Sequence, residues 1–154
     1  MNWSDVLEDK TLQDLPYKIE LNEWGQIVMS PASNRHGMCQ FEIGATLKDH
    51  MKSGKVITEC SILTDRGVKV PDVVWCSEDF IKRHGFETPF PESPEICVEI
   101  ISPSNTQKEM DEKMKLYFEK GTREVWLVTE KGDIRYYQPS GEIQSSSYDV
   151  TITL

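Results

Sequence analysis

Asp72 and Glu99 are acidic residues in positions where acids are rare. Asp72 follows Pro71 and opens the apolar run Val73-Val74-Trp75, and Glu99 separates Ile96-Cys97-Val98 from Ile100-Ile101. Each reads as a carboxylate on a mostly buried strand. Carboxylates rarely go inside unpaired, because the charged form loses its hydration. Two on neighbouring strands repel each other unless a cation lies between them. A hard divalent ion such as Mg²⁺, which takes a few carboxylate oxygens and keeps waters for the rest of its shell, is the expected cation. It would acidify a bound water and stabilise charge on a phosphoryl oxygen. The plainer alternatives are a turn-capping role for Asp72 and an outward-facing edge charge for Glu99.

Lys113 is a third candidate, in the segment Met110-Asp111-Glu112-Lys113-Met114-Lys115-Leu116-Tyr117. On periodicity alone it is a surface lysine paired with Glu109 at the favourable i, i+4 spacing. Tyr117, four residues on, shares its face and reads as a packing residue. His36 follows Ser33-Asn34-Arg35 at a helix start and could orient a water or phosphate. A lone histidine there is more often a polar surface group. Glu20 lies in a hairpin and has only its position to recommend it. Ser102-Pro103-Ser104 is not a nucleophile elbow, since no glycine flanks it. Neither GxxxxGK[ST] nor GxGxxG occurs, so P-loop chemistry and hydride transfer have no support.

These residues need a scaffold. The 154 residues suit one domain, residues 1–154. Residues 3–14 read as a short helix with Ser4 as N-cap. Tyr17 to Leu21 and Gln26 to Ser30 read as a hairpin. A helix capped by Ser33 or Asn34 runs to about Lys52, with Met38, Phe41, Ile43, Ala45, Leu47 and Met51 inward. Strands follow at about 55–59, 61–64 and 68–75, then a Pro-rich connection with a short helix near Glu78-Arg83. Glu95 to Ile101 is nearly continuous in apolar residues, the pattern of a central strand covered on both faces. A capping box from Ser104 to Gln107 opens a helix to Lys120, which Gly121 ends. Val125 to Val128 and Ile134 to Gln138 pair across Lys131-Gly132-Asp133. Residues 139–147 read as a loop, and 148–153 as an edge strand. Strand-helix-strand between 95 and 128 implies a right-handed parallel crossover. The fold class is α/β, a mixed central sheet flanked by helices, with an N-terminal helix and hairpin.

The formal net charge of -9 counts against broad, nonspecific nucleic-acid affinity. A small basic cleft is compatible with it, because Arg35, Lys48, Lys52, Lys55, Arg66 and Lys69 concentrate between 35 and 69. Cys39, Cys60, Cys76 and Cys97 form no CxxC pair and read as buried thiols of a reducing compartment. No apolar stretch approaches the roughly 18 residues that span a membrane. The start Met1-Asn2-Trp3-Ser4-Asp5 lacks the features of a secretory signal, so the expected location is cytoplasmic.

Taken in order, several of these segments resemble one family. Tyr17-Lys18-Ile19-Glu20-Leu21, Gly25-Gln26-Ile27-Val28-Met29-Ser30-Pro31 and His36 are similar to the N-terminal half of the Uma-two family of restriction-endonuclease-like proteins. Pro71-Asp72-Val73-Val74 resembles its PD motif, and Val98-Glu99-Ile100-Ile101-Ser102-Pro103-Ser104 its second acidic motif. Lys113, Tyr117, Gly121 and Glu124-Val125-Trp126-Leu127-Val128 complete the series. The resemblance implies the PD-(D/E)xK nuclease fold, with a four-stranded mixed sheet. It implies that Asp72, Glu99 and the Ile100 carbonyl hold Mg²⁺ or Mn²⁺, and that DNA is the substrate. The lysine that normally follows the second acid by two residues is replaced here by Ile101, and the resemblance gives its role to Lys113. The alternative is an inactive binding or assembly module that keeps the sheet, such as a homodimer.

Overall fold

In a computed structural model that describes residues 1–154, the chain begins with helix α1, Trp3–Glu8. Its N-cap is Asn2, not Ser4: Asn2 Oδ1 accepts the Asp5 N–H at 3.0 Å while Asp5 accepts the Asn2 N–H at 2.8 Å. The reciprocal pair satisfies two helix-end donors where Ser4 would satisfy one. The helix does not reach residue 14, because Asp9 turns extended and caps a separate 3-10 turn, Lys10–Leu12.

Strands β1 (Tyr17–Leu21) and β2 (Ile27–Pro31) form the expected hairpin. The period of two divides β1 between two environments. Ile19 and Leu21 pack with Val6, Val68 and Val70 in a small satellite core. Lys18 and Glu20 point the other way. The hairpin is held from behind by strands β4 (Ile62–Thr64) and β5 (Gly67–Lys69). Gly67 has φ +84, and a Cβ there would collide with the Leu21 and Asn22 carbonyl oxygens, so only glycine lets the two hairpins approach so closely.

Helix α2 (Asn34–Met51) starts at Ser33, whose Oγ accepts the His36 N–H at 3.0 Å. Its inward row is Cys39, Ile43 and Leu47. Met38, Phe41 and Ala45, expected inside, face solvent, with Phe41 71% exposed. The sheet takes the narrow face of small and branched residues, and the bulky ones are left outside.

The remaining elements are β3 (Lys55–Thr58), β6 (Val73–Cys76), α3 (Glu78–His84), β7 (Ile96–Ile101), α4 (Gln107–Glu119), β8 (Glu124–Thr129), β9 (Ile134–Gln138) and β10 (Gly141–Ile143). The central sheet has six strands, not four, in the order β10-β9-β8-β7-β6-β3. β7 and β8 are parallel, joined through α4, and the other pairs are antiparallel. The expected strand over 68–75 is two strands: Pro71 lacks the N–H that a continuous ladder needs. Residues 139–147, expected as a loop, contain β10. Residues 148–153 form no ladder; Val150 and Ile152 instead plug the core.

Helix α4 is capped by Thr106 and Glu109 in a reciprocal box, each contact 3.1 Å, and not by Ser104 and Gln107. α2 covers one face of the sheet, packing on Val73, Trp75, Ile96, Val98 and Ile100. α4 covers the other, packing on Val74, Cys76, Cys97, Val125 and Leu127. No helix is long and apolar enough to cross a membrane.

Candidate active site

Strand alternation decides where the two acids point. The antiparallel register pairs Val73 with Val98, and one further step sets Asp72 opposite Glu99. The Asp72 N–H still donates to the Val98 carbonyl at 2.9 Å, so the ladder extends past the end of β6. Both carboxylates therefore leave the sheet on its α4 face, at adjacent positions of adjacent strands. Asp72 is 1% exposed and Glu99 3% exposed.

Each carboxylate is anchored at one oxygen and turns the other toward a shared cationic group. Asp72 Oδ2 accepts the Ile100 N–H at 2.7 Å. Glu99 Oε1 accepts the Tyr117 hydroxyl at 2.6 Å and lies 3.2 Å from Lys113 Nζ. The other oxygens, Asp72 Oδ1 and Glu99 Oε2, both face Lys18 Nζ, at 3.2 and 3.1 Å. The cation between the acids is thus an ammonium from β1. Sequence reasoning missed Lys18, although its alternation with Ile19 and its shared face with Glu20 were available signals.

Lys113 does not pair with Glu109, which is occupied in the α4 cap. It reaches inward instead, donating to Glu20 at 3.1 Å and standing 3.2 Å from Glu99. Glu20 is itself buried and fixed by the Val70 N–H at 2.6 Å. His36 Nε2 lies 3.1 Å from Asp72 Oδ1, and Gln40 Nε2 donates to the Asp72 backbone carbonyl at 3.1 Å. Tyr117 packs in the core as expected and also ends on Glu99. All of Asp72, Glu99, Lys113, His36 and Glu20 are brought to one place, with Ile100 on the wall.

The charges support one another. Burial opposes ionisation of Asp72, but the His36 hydrogen bond and the Lys18 charge outweigh it and hold its carboxyl below the usual range. Burial opposes ionisation of Glu20 in the same way and is outweighed by Lys113 and Lys18. Lys18 loses hydration, yet Glu99, Asp72 and Glu20 keep it firmly protonated. The Asp72 hydrogen bond raises the His36 pKa, favouring imidazolium.

The group opens on a cleft of about 650 Å³ walled by Lys18, Ser30, His36, Glu99, Lys113 and Glu130, among others. The basic residues between 35 and 69 do not gather there. Lys48, Lys52 and Lys55 line a separate hollow, Arg66 and Lys69 flank Glu20 and Lys113, and Arg35 hydrogen-bonds the Glu130 carbonyl.

No three side chains among His, Cys, Asp and Glu converge with the geometry of a metal cage. What converges is a pair of carboxylate oxygens, both about 3 Å from one point. That donor set fits a hard ion completed by water and substrate oxygens, once the ammonium gives way. Glu124 is a further buried acid outside the cleft, fully enclosed and satisfied by Ser146, Ser147 and Trp126.

Comparison with known proteins follows the same lines. The family model Uma2, described as "Putative restriction endonuclease", matches residues 9–153. The fold is similar to the crystal structure of a putative nuclease belonging to DUF820 from Anabaena variabilis ATCC 29413, with a TM-score of 0.68 over 84% of this chain and 82% of that one. At 19% identity this is a likeness of fold. No curated protein matches the chain.

Proposed function

The chain belongs to the Uma2 family, and from that membership we propose that it is a metal-dependent endonuclease hydrolysing phosphodiester bonds in DNA. One observation carries the reading: Asp72 Oδ1 and Glu99 Oε2, from adjacent strands, aim at a single cation seat, with the Lys113 ammonium behind Glu99. Mg²⁺ or Mn²⁺ held by Asp72, Glu99 and the Ile100 carbonyl would supply an acidified water and a counter-charge for the phosphoryl oxygens. The chain's own residues do the positioning. The Ile100 N–H and Tyr117 hydroxyl fix the two carboxylates, so their second oxygens stay aimed at the seat when the Lys18 ammonium leaves it. Lys113, oriented by Glu20, presents an ammonium that holds the attacking water or a phosphate oxygen in line. His36 orients Asp72 from the opposite side.

The test is Mg²⁺ and Mn²⁺ titration against supercoiled plasmid, comparing wild type with Asp72→Asn. Metal-dependent nicking that disappears in a folded Asp72→Asn protein supports the reading. Equal cleavage by both proteins places the chemistry elsewhere. The second reading, an inactive module such as a homodimer, is favoured by one feature: the cation seat is filled by Lys18. It predicts no cleavage at any metal concentration.

A further inference from the structure

Lys18 has no part in the chemistry just described, yet it holds the most consequential position in the cleft. A divalent ion bound by both carboxylates has to use Asp72 Oδ1 and Glu99 Oε2, because their other oxygens are tied to Ile100, and to Tyr117 and Lys113. Those two oxygens are the partners of Lys18 Nζ, which alone bridges both; Asp72 Oδ1 also meets His36 Nε2 at 3.1 Å from the α2 side. An ammonium and a divalent cation cannot share a seat a few ångströms across, since their repulsion there is unscreened. The lysine also has an exit: its side chain is 11% exposed and forms part of the cleft wall. Without it, each carboxylate keeps a cationic neighbour on one side, His36 at Asp72 and Lys113 at Glu99, but nothing lies between the two acids to offset their mutual repulsion.

We infer that Lys18 is an exchangeable counter-ion: its ammonium neutralises Asp72 and Glu99 until a divalent cation expels it, and it then serves the substrate's phosphate backbone from the cleft wall. This rests on the metal-dependent reading above. The long, flexible lysine stem suits such exchange, whereas a rigid guanidinium fork would bind the carboxylates more permanently. The arrangement couples two ligands. A phosphate that attracts the ammonium out of the seat makes room for the metal, so each binds more tightly in the presence of the other.

The experiment is calorimetric titration of Mn²⁺ into wild type, Lys18→Met and Lys18→Gln, with thermal unfolding of each protein with and without Mn²⁺. Removing the competitor should tighten Mn²⁺ binding at least about tenfold in both variants, a conservative figure for two cations a few ångströms apart. Both should unfold at lower temperature without metal and show a larger rise on adding it than wild type. If Lys18→Met folds only with Mn²⁺ present, that dependence supports the inference, and Lys18→Gln supplies the affinity comparison. Wild-type affinity in both variants overturns the counter-ion role while leaving the metal site intact. Absence of Mn²⁺ binding in all three proteins overturns the metal site and the inference together.

Discussion

Lys113 Nζ lies 3.2 Å from Glu99 Oε1, although one residue is on a helix and the other on the strand before it. The contact sets a lysine beside the acid, where the strand two residues on carries Ile101. Lys115, on the same helix, is 77% exposed and 3.9 Å from Glu119. Lys113→Ala should therefore lower turnover by on the order of 10², typical for losing a positioned electrostatic or proton-transfer group. Lys115→Ala should leave turnover within about twofold, since exposed ion pairs contribute little. Lys113→Arg should not restore the rate, because a planar fork cannot fill the place of a compact ammonium. Plasmid-nicking rates at saturating metal decide it; equal losses at 113 and 115 would remove Lys113 from the mechanism.

Glu20 touches Lys113 and the Val70 N–H and makes no ion pair with Lys18, so under the proposed function it positions Lys113. Glu20→Gln keeps an acceptor for Val70 but releases the ammonium. The expected result is a fall in kcat of about tenfold with KM nearly unchanged, as for a lost transition-state interaction. In the Lys113→Ala background the same change should add almost nothing, because coupled residues are not additive. Full additivity in that double-mutant cycle would show that Glu20 acts by some other route.

Glu124 gives a prediction independent of catalysis. Burial works against its charge, but hydrogen bonds from Ser147, Trp126 and Ser146 win and depress its pKa below the ordinary 4.5. A depressed carboxyl stabilises the fold above its unfolded pKa, and that contribution is lost as pH falls through the folded value. Glu124→Gln should thus cost about 1–3 kcal/mol at pH 7, the range for buried polar partners left short. The gap should close as pH drops below 4.5. Urea unfolding midpoints from pH 7 to pH 3 measure this; a gap that stays constant with pH would contradict it.

The acids were legible because an unpaired carboxylate inside an apolar strand has few explanations. β7 and the crossover through α4 to β8 were legible for a related reason: long apolar runs and a helix between them leave little topological freedom. Lys18 was not. A lysine beside Tyr17 on a hairpin looks like any solvated strand residue, and its partners lie 54 and 81 positions away in the chain. Lys113 illustrates the same limit, since a local partner at Glu109 explains it adequately until the tertiary contact with Glu20 is seen. The inward face of α2 was misread because Phe41 and Met38 dominate a hydrophobic count. The helix packs by its smaller residues, Cys39, Ile43 and Leu47. Caps were misplaced where a better reciprocal pair lay two residues away, as at Asn2 and Thr106.

The separation of Lys18 from Glu99, and of Glu20 from Lys113 by 93 residues, has a consequence for how the protein comes into being. Closing such long segments is entropically slow compared with forming local hairpins and helices. During synthesis the chain emerges with Lys18, Glu20 and His36 first, while Glu99 and Lys113 are still unmade. The ribosome-bound N-terminal half carries only one of the two acids. The full cluster can therefore close only after β7 and α4 have been made, and a chain that stops short of Glu99 carries none of its geometry.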